Sequence, residues 1–292
     1  MKRLMFPLAA FALLMIFIVG CSKDEKTTQP ETEMLNLSFT GLQNLGSNFD
    51  YEGWIIVDSS PISTGTFTVN DAGELSQSSF ELSKSDLDAA TKFVLTIEPS
   101  PDSDPTPSHT HYLAGDFSDN TADLTVADPA AFDNDFTSAM GSYILATPST
   151  SDNDDDYSSG IWWVDPSAGP GPSLDLPELP DGWAYEGWVA NASGPVTTGR
   201  FTMLSGADSD GGGSAAGPDD TPPFPGQDFI DPMRDLIGYA AIITIEPDPD
   251  NSPNPFGALK PLVDSNIEDV GGGTLQSMAN NASTFPTGMA SR

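Results

Sequence analysis

Leu35, Leu37 and Phe39 alternate with polar residues, the period-two mark of a strand with one buried face. Trp54-Ile55-Ile56-Val57 is a continuous apolar run, as in a strand covered on both faces. Thr66 to Val69 and Phe93 to Ile97 are rich in β-branched and aromatic residues and predict two more strands. "SYILATP" (142–148) and "GIWWVD" (160–165) predict others. Helical spacing is scarce. Asp128-Pro129 suits an N-cap and first position, Phe132, Phe136 and Met140 follow at i, i+4 and i+8, and Gly141 closes the segment. Residues 85–91 predict a second short helix.

The same pattern is written twice. Tyr51, Trp54, Gly65 and Phe67 recur as Tyr185, Trp188, Gly199 and Phe201, each 134 positions later. "FVLTIEP" (93–99), ending Glu98-Pro99, answers "AIITIEP" (241–247), ending Glu246-Pro247, at a spacing of 148. The 14 extra residues fall in a Gly/Pro/Asp-rich stretch, 205–227, where an insertion is cheap. Pro99 and Pro247 end their strands, since proline has no N–H for the ladder. The expected architecture is all-β: two related antiparallel β-sandwich-like units, separate or packed as one pseudo-twofold body, with few short helices. Unit 1 spans 34–150 and unit 2 spans 151–265. The Gly-, Ser- and Asn-rich residues 266–292 are expected to form a loose tail.

Charge narrows the partners. Of 292 residues 43 are acidic, 32 of them Asp, against 10 basic, for a net charge of −33. Such a surface repels nucleic-acid phosphates and anionic lipid headgroups. It suits a salty habitat, or simply an acidic secreted protein. Lys2-Arg3, an apolar run from Leu4 to Val19 and then Gly20-Cys21 form a secretory signal peptide, residues 1–20. "IVGC" resembles a bacterial lipobox, which implies cleavage before Cys21 and its acylation with palmitate-type chains. The mature charge is then −33 − 2 = −35. Residues 21–33 form a polar tether, and "SKDEK" resembles the export tags of surface lipoproteins, favouring the outer membrane. Cys21 is the sole cysteine. Without disulfides the chain must hold together by its core.

Tyr-x-x-Trp, a turn with Pro, Gly-x-Phe, then Thr-x-Glu-Pro and a Pro-rich loop resembles the extracytoplasmic C-terminal domain of anti-sigma-K factors. The resemblance covers Tyr51 to about Gly115 and again Tyr185 to about Val263, and implies a β-sandwich for each copy. It does not bring anti-sigma activity, which in that family resides in a cytosolic helical part.

Catalytic chemistry is sparse. His109 and His111 in "PSHTHYL" place two rings on one strand face, which suits zinc or copper, but a third ligand is not evident; ordinary loop histidines are the favoured reading. "DNDDD" (152–156) and "DSD" (208–210) lack the spacing of an EF-hand and read as solvated loops. Glu98 and Glu246 read as strand-end acceptors of backbone N–H bonds; the alternative is a carboxylate-dependent hydrolase. Trp162, Trp163, Trp183 and Trp188 read as core, with Trp163 the most exposed of them. No cofactor, metal or catalytic residue is assigned. The expected function is a non-enzymatic binding, sensing or scaffold lipoprotein of the cell envelope, with an envelope protein or glycan as partner. An accessory of an envelope stress sigma/anti-sigma pathway is the third reading.

Overall fold

A computed structural model describes residues 30–150, 156–208, 224–249, 252 and 254–292. The signal segment, Cys21, most of the tether and most of both acidic runs lie outside these residues. The first half carries β1 (Thr32–Thr40), β2 (Phe49–Val57), β3 (Ser60–Phe67), β4 (Ser79–Ser83), β5 (Lys92–Pro99), β6 (His111–Asp116), β7 (Thr121–Leu124) and β8 (Met140–Leu145). Helix α1 (Lys84–Ala89) lies between β4 and β5. Four short strands follow: β9 (Gly160–Trp162), β10 (Val164–Asp165), β11 (Gly171–Pro172) and β12 (Leu174–Asp175). The second half continues with β13 (Trp183–Asn191), β14 (Gly194–Phe201), β15 (Gly226–Asp228), β16 (Ala240–Pro247) and β17 (Leu262–Asp264). Strands β18 (Gln276–Ser277), β19 (Ala279–Asn280) and β20 (Thr287–Ser291) complete the order.

The fold is all-β and every strand ladder is antiparallel. The first repeat forms the sheet β3-β2-β5-β6, and the second forms β14-β13-β16-β17-β19. Their registers coincide. Tyr51 faces Phe67, Gly53 faces Gly65, and a bulge follows between Gly53 and Trp54. Tyr185 faces Phe201, Gly187 faces Gly199, and the same bulge follows Gly187. Gly65 and Gly199 carry φ of 111° and 114°, a conformation that costs glycine little and other residues much. The edge strands β3 and β14 each carry a proline near their start, Pro61 and Pro195, which blunts pairing with foreign strands.

One apolar core joins both repeats. Phe67 stacks on Tyr51 (centroids 5.5 Å apart), Tyr51 on Tyr112 (6.1 Å), and Tyr112 meets Trp183 at 6.0 Å. Residues Glu31–Arg292 accordingly form a single compact unit, so the expected break at 150/151 is not a boundary between separate bodies.

Four expectations are corrected. Residues 266–292 are not a loose tail. β20 is an inner strand, paired with β1 on one side and β7 on the other, and the Arg292 guanidinium donates to the carbonyls of Leu87, Ala90 and Asp119. Residues 128–141 are not a helix. Asp128 accepts the Ala130 N–H at 2.8 Å as a cap would, but Asn134 and Asp135 capture the N–H groups of Phe136 and Thr137. Asp133 and Phe136 turn to positive φ, so the chain folds as successive turns that still drive Phe132 and Phe136 inward. Trp163 is not exposed. It is fully buried in the main core, while Trp162 enters a satellite cluster with Ile144 and Val164 on the other side. The strand also begins at Thr32, inside the expected tether.

The aspartates find a structural use. Asp102, Asp104, Asp128, Asp135, Asp165, Asp235 and Asp264 each accept the backbone N–H two residues on, the Asx-turn geometry. Glutamate, one methylene longer, fits this turn poorly.

Candidate functional site

The repeated residues converge at the strand ends. In the first copy the Trp54 indole N–H donates to Thr96 Oγ1 at 2.9 Å, and Thr96 Oγ1 donates to Glu98. The Glu98 carboxylate also accepts the Ser108 N–H from the Pro-rich loop, at 2.9 and 3.2 Å to its two oxygens. In the second copy the Trp188 indole donates to Thr244 Oγ1 at 2.9 Å and Thr244 to Glu246. Glu246 accepts the Phe256 N–H at 2.9 and 2.8 Å. Both carboxylates are almost wholly buried, at 2% and 1% exposure. Each fastens the loop after Pro99 or Pro247 back onto its own strand. The tyrosines act alike: Tyr51 donates to Gln43 O at 3.0 Å and Tyr185 to Pro177 O at 2.6 Å, eight residues upstream in each copy.

One row further along, the Ser63 and Thr197 hydroxyls donate to Glu52 and Glu186. Burial raises the Glu52 carboxyl above its ordinary value. The Ser63 bond opposes that rise, and the nearby charges of Glu98 and Asp102 add to it. The motif Thr-x-Glu-Pro contains Thr96 and Thr244, but sequence reasoning assigned no role to them, nor to Glu52 or Glu186. All four lie in the aligned blocks "YEGW" and "TIEP", and their identity in both copies was the available signal.

His111 Nδ1 lies 2.9 Å from Ala130 O, and both rings line a shallow hollow with Pro129, Pro180 and Asp181. Among the described residues no three His, Cys, Asp or Glu side chains gather as metal ligands.

Where the two strand ends meet, the surface opens into a groove. It consists of two hollows, about 270 and 590 Å³ in volume, that share the walls Phe49, Ile97, Pro247 and Pro249. Gln43, Asn44 and Asn254 line the smaller, and Pro99, Ser108 and Thr110 the larger. No lysine or arginine lines either among the described residues, whereas Glu246 and Asp248 do. The groove offers apolar rings edged by amides and hydroxyls, with His109 also in the wall of the larger hollow.

No curated protein and no solved structure matches the chain. The family model described as "Anti-sigma-K factor rskA, C-terminal" does match, over residues 27–111, which takes in β1 to β5 and the loop fastened by Glu98.

Proposed function

We propose that this chain is a non-enzymatic binding module of the bacterial cell envelope, anchored through an acylated Cys21, whose binding face is the groove between its repeats. The observation that supports it most is the bonding of Glu98 and Glu246. Each is buried and already accepts a threonine hydroxyl and a loop N–H, so each holds a loop in place. A carboxylate bound in this way is a poor proton donor or nucleophile. The lipobox-like "IVGC" and the following "SKDEK" support a lipid anchor and an outer-membrane location.

Two measurements test this. Metabolic labelling with an alkyne fatty acid should mark the wild type and leave Cys21→Ala unmarked. A glycosidase and esterase screen in high salt should find no turnover; an activity present in wild type and lost in Glu98→Gln or Glu246→Gln would overturn the reading. The match over residues 27–111 favours a second reading, an accessory of an envelope anti-sigma pathway. It predicts recovery of a transmembrane anti-sigma protein with the tagged chain, and its absence under crosslinking counts against it.

A further inference from the structure

The two repeats hold the same loop with different charges. Glu52 and Glu186 are equivalent: each lies on the central strand of its sheet and faces the last residue but one of the edge strand, Thr66 or Arg200. In the second repeat Arg200 acts as a bracket. Its Nε lies 3.7 Å from Glu186, and its Nη2 donates to Pro247 O at 2.9 Å and lies 3.5 Å from Asp248. A permanent cation thus ties the sheet to the start of the second Pro-rich loop. Thr66 brings no charge. The first loop keeps the carboxylate fastening, Glu98 to the Ser108 N–H, without the guanidinium. Glu52 is left among charges of its own sign. Glu98 acts on it from β5 and Asp102 from the loop. Asp50 stands directly across from Glu98. β3 offers the Ser63 hydroxyl and no charged residue. Lys92, further along β5, pairs with Asp116 and Asp128, and His111 on β6 turns its Nδ1 to Ala130 O. Burial raises the Glu52 carboxyl above its ordinary value, and Glu98 and Asp102 raise it further against the Ser63 bond.

We propose that Glu52, Glu98 and Asp102 form a proton-operated latch on the first Pro-rich loop: a proton held on Glu52 keeps residues 100–108 fastened, and its loss to solvent releases them from the wall of the larger hollow. Fastening sets Asp102 close enough to act on Glu52, so the fastened loop binds the proton more tightly than the released one. Raising the pH through the titration of Glu52 therefore favours release. The second loop carries no such dependence, because the Arg200 guanidinium balances the equivalent carboxylate at every pH. Ser100, Ser108 and Thr110 line the larger hollow, whereas Ser252, Asn254 and Phe256 of the second loop line the smaller. The two halves of the groove thus answer differently to acid.

The test follows the mature chain by NMR from about pH 3.5 to about pH 8 in about 0.15 M salt, with glutamate carboxyls ¹³C-labelled and amides ¹⁵N-labelled. Glu52 should titrate above the ordinary carboxylate value. Protection of the Ser108 amide against exchange, corrected for the intrinsic pH dependence, should fall at least about threefold with the same midpoint. The Phe256 amide, fastened by Glu246, should show no such step. Thr66→Arg gives the first repeat the cation of the second. Glu52 should then lose its proton at least about tenfold more readily, and Ser108 should stay protected throughout. If Thr66→Arg does not fold, Glu52→Gln, neutral at every pH, should likewise abolish the Ser108 step. Flat Ser108 protection through the Glu52 titration of the wild type, a step that survives Glu52→Gln, or an equal step at Phe256 overturns the inference. The latch does not depend on what the groove binds, so its failure leaves the anchoring and turnover measurements to decide that reading.

Discussion

The two repeats share a hydrogen-bonded frame and differ in what fills it. Over Gly53, a Cβ would meet the Phe93 ring at 2.7 Å; Phe93 belongs to the same sheet. Over Gly187 the neighbour is Trp163, whose Nε1 lies 2.7 Å from the same notional atom. Trp163 comes from outside that sheet, and the position matching Phe93 is Ala241. A large side chain has been exchanged for a small one, and a second large one supplied from elsewhere. The next glycine repeats the lesson: Phe80 covers Gly65, whereas Asp208 covers Gly199 and accepts the Gly226 N–H at 3.0 Å. Directional bonds such as Trp–Thr–Glu tolerate few substitutes, because a lost partner leaves a buried polar group unsatisfied. Apolar volume can be delivered from any direction.

The most severe way to probe this comparison is to remove β20. Truncation after Pro286 strips a paired strand from between β1 and β7 and takes Ala290 out of the core. Because both repeats share one core, both should unfold together. A surviving second-repeat transition, seen in denaturant by Trp188 fluorescence, would show the copies to be independent. A sharper probe exchanges the fillers. Trp163→Ala should cost about 3–5 kcal/mol, and Ala241→Phe alone about 1–3 kcal/mol by overpacking. The double variant places the first repeat's filler in the second repeat and should recover at least about 1 kcal/mol relative to additivity. Strict additivity in chemical denaturation would break the comparison. The smallest effect is expected at Glu52. Its folded carboxyl titrates above its unfolded value, so the folded state binds the extra proton and stability falls as pH rises through that window. Glu52→Gln should flatten that fall and raise the neutral-pH melting temperature slightly, less so in high salt because Glu98 and Asp102 contribute charge repulsion.

The frame was legible because its determinants are local and periodic. Alternation marks the strands, and the recurrence of "YEGW" and "TIEP" marks equivalent registers. What escaped were the long-range choices. β20 reads "TGMAS", with no apolar stripe: Ala290 alone is fully buried, and at Gly288 a Cβ would lie 2.3 Å from the Phe39 ring. Small residues that suggest looseness in a sequence here record close approach. Phe132, Phe136 and Met140 at helical spacing misled for another reason. Asn134 and Asp135 offered the backbone local acceptors, and turns won over the helix. Adjacent Trp162 and Trp163 pointed to one buried and one solvent face, but a separate apolar cluster covers the second face. The groove was invisible from sequence, since it depends on how two Pro-rich loops meet.

The Asx turns recast the chain's acidity. At each of seven turns the carboxylate works as an acceptor for one N–H, and an asparagine carbonyl does the same at Asn44, Asn70, Asn134 and Asn191. The turn needs the oxygen; charge adds to it at Asp104, Asp135 and Asp165, where the turn's own bonds hold the carboxyl below its ordinary value, and at Asp128, which pairs with Lys92 at 2.6 Å. Exchanging those seven aspartates for asparagine would take the formal charge from −33 to −33 + 7 = −26 and keep an acceptor oxygen at each turn, at the cost of the ion pair between Asp128 and Lys92. Shape and solubility are thus written in the same letters, and part of the chain's acidity is there to template its loops.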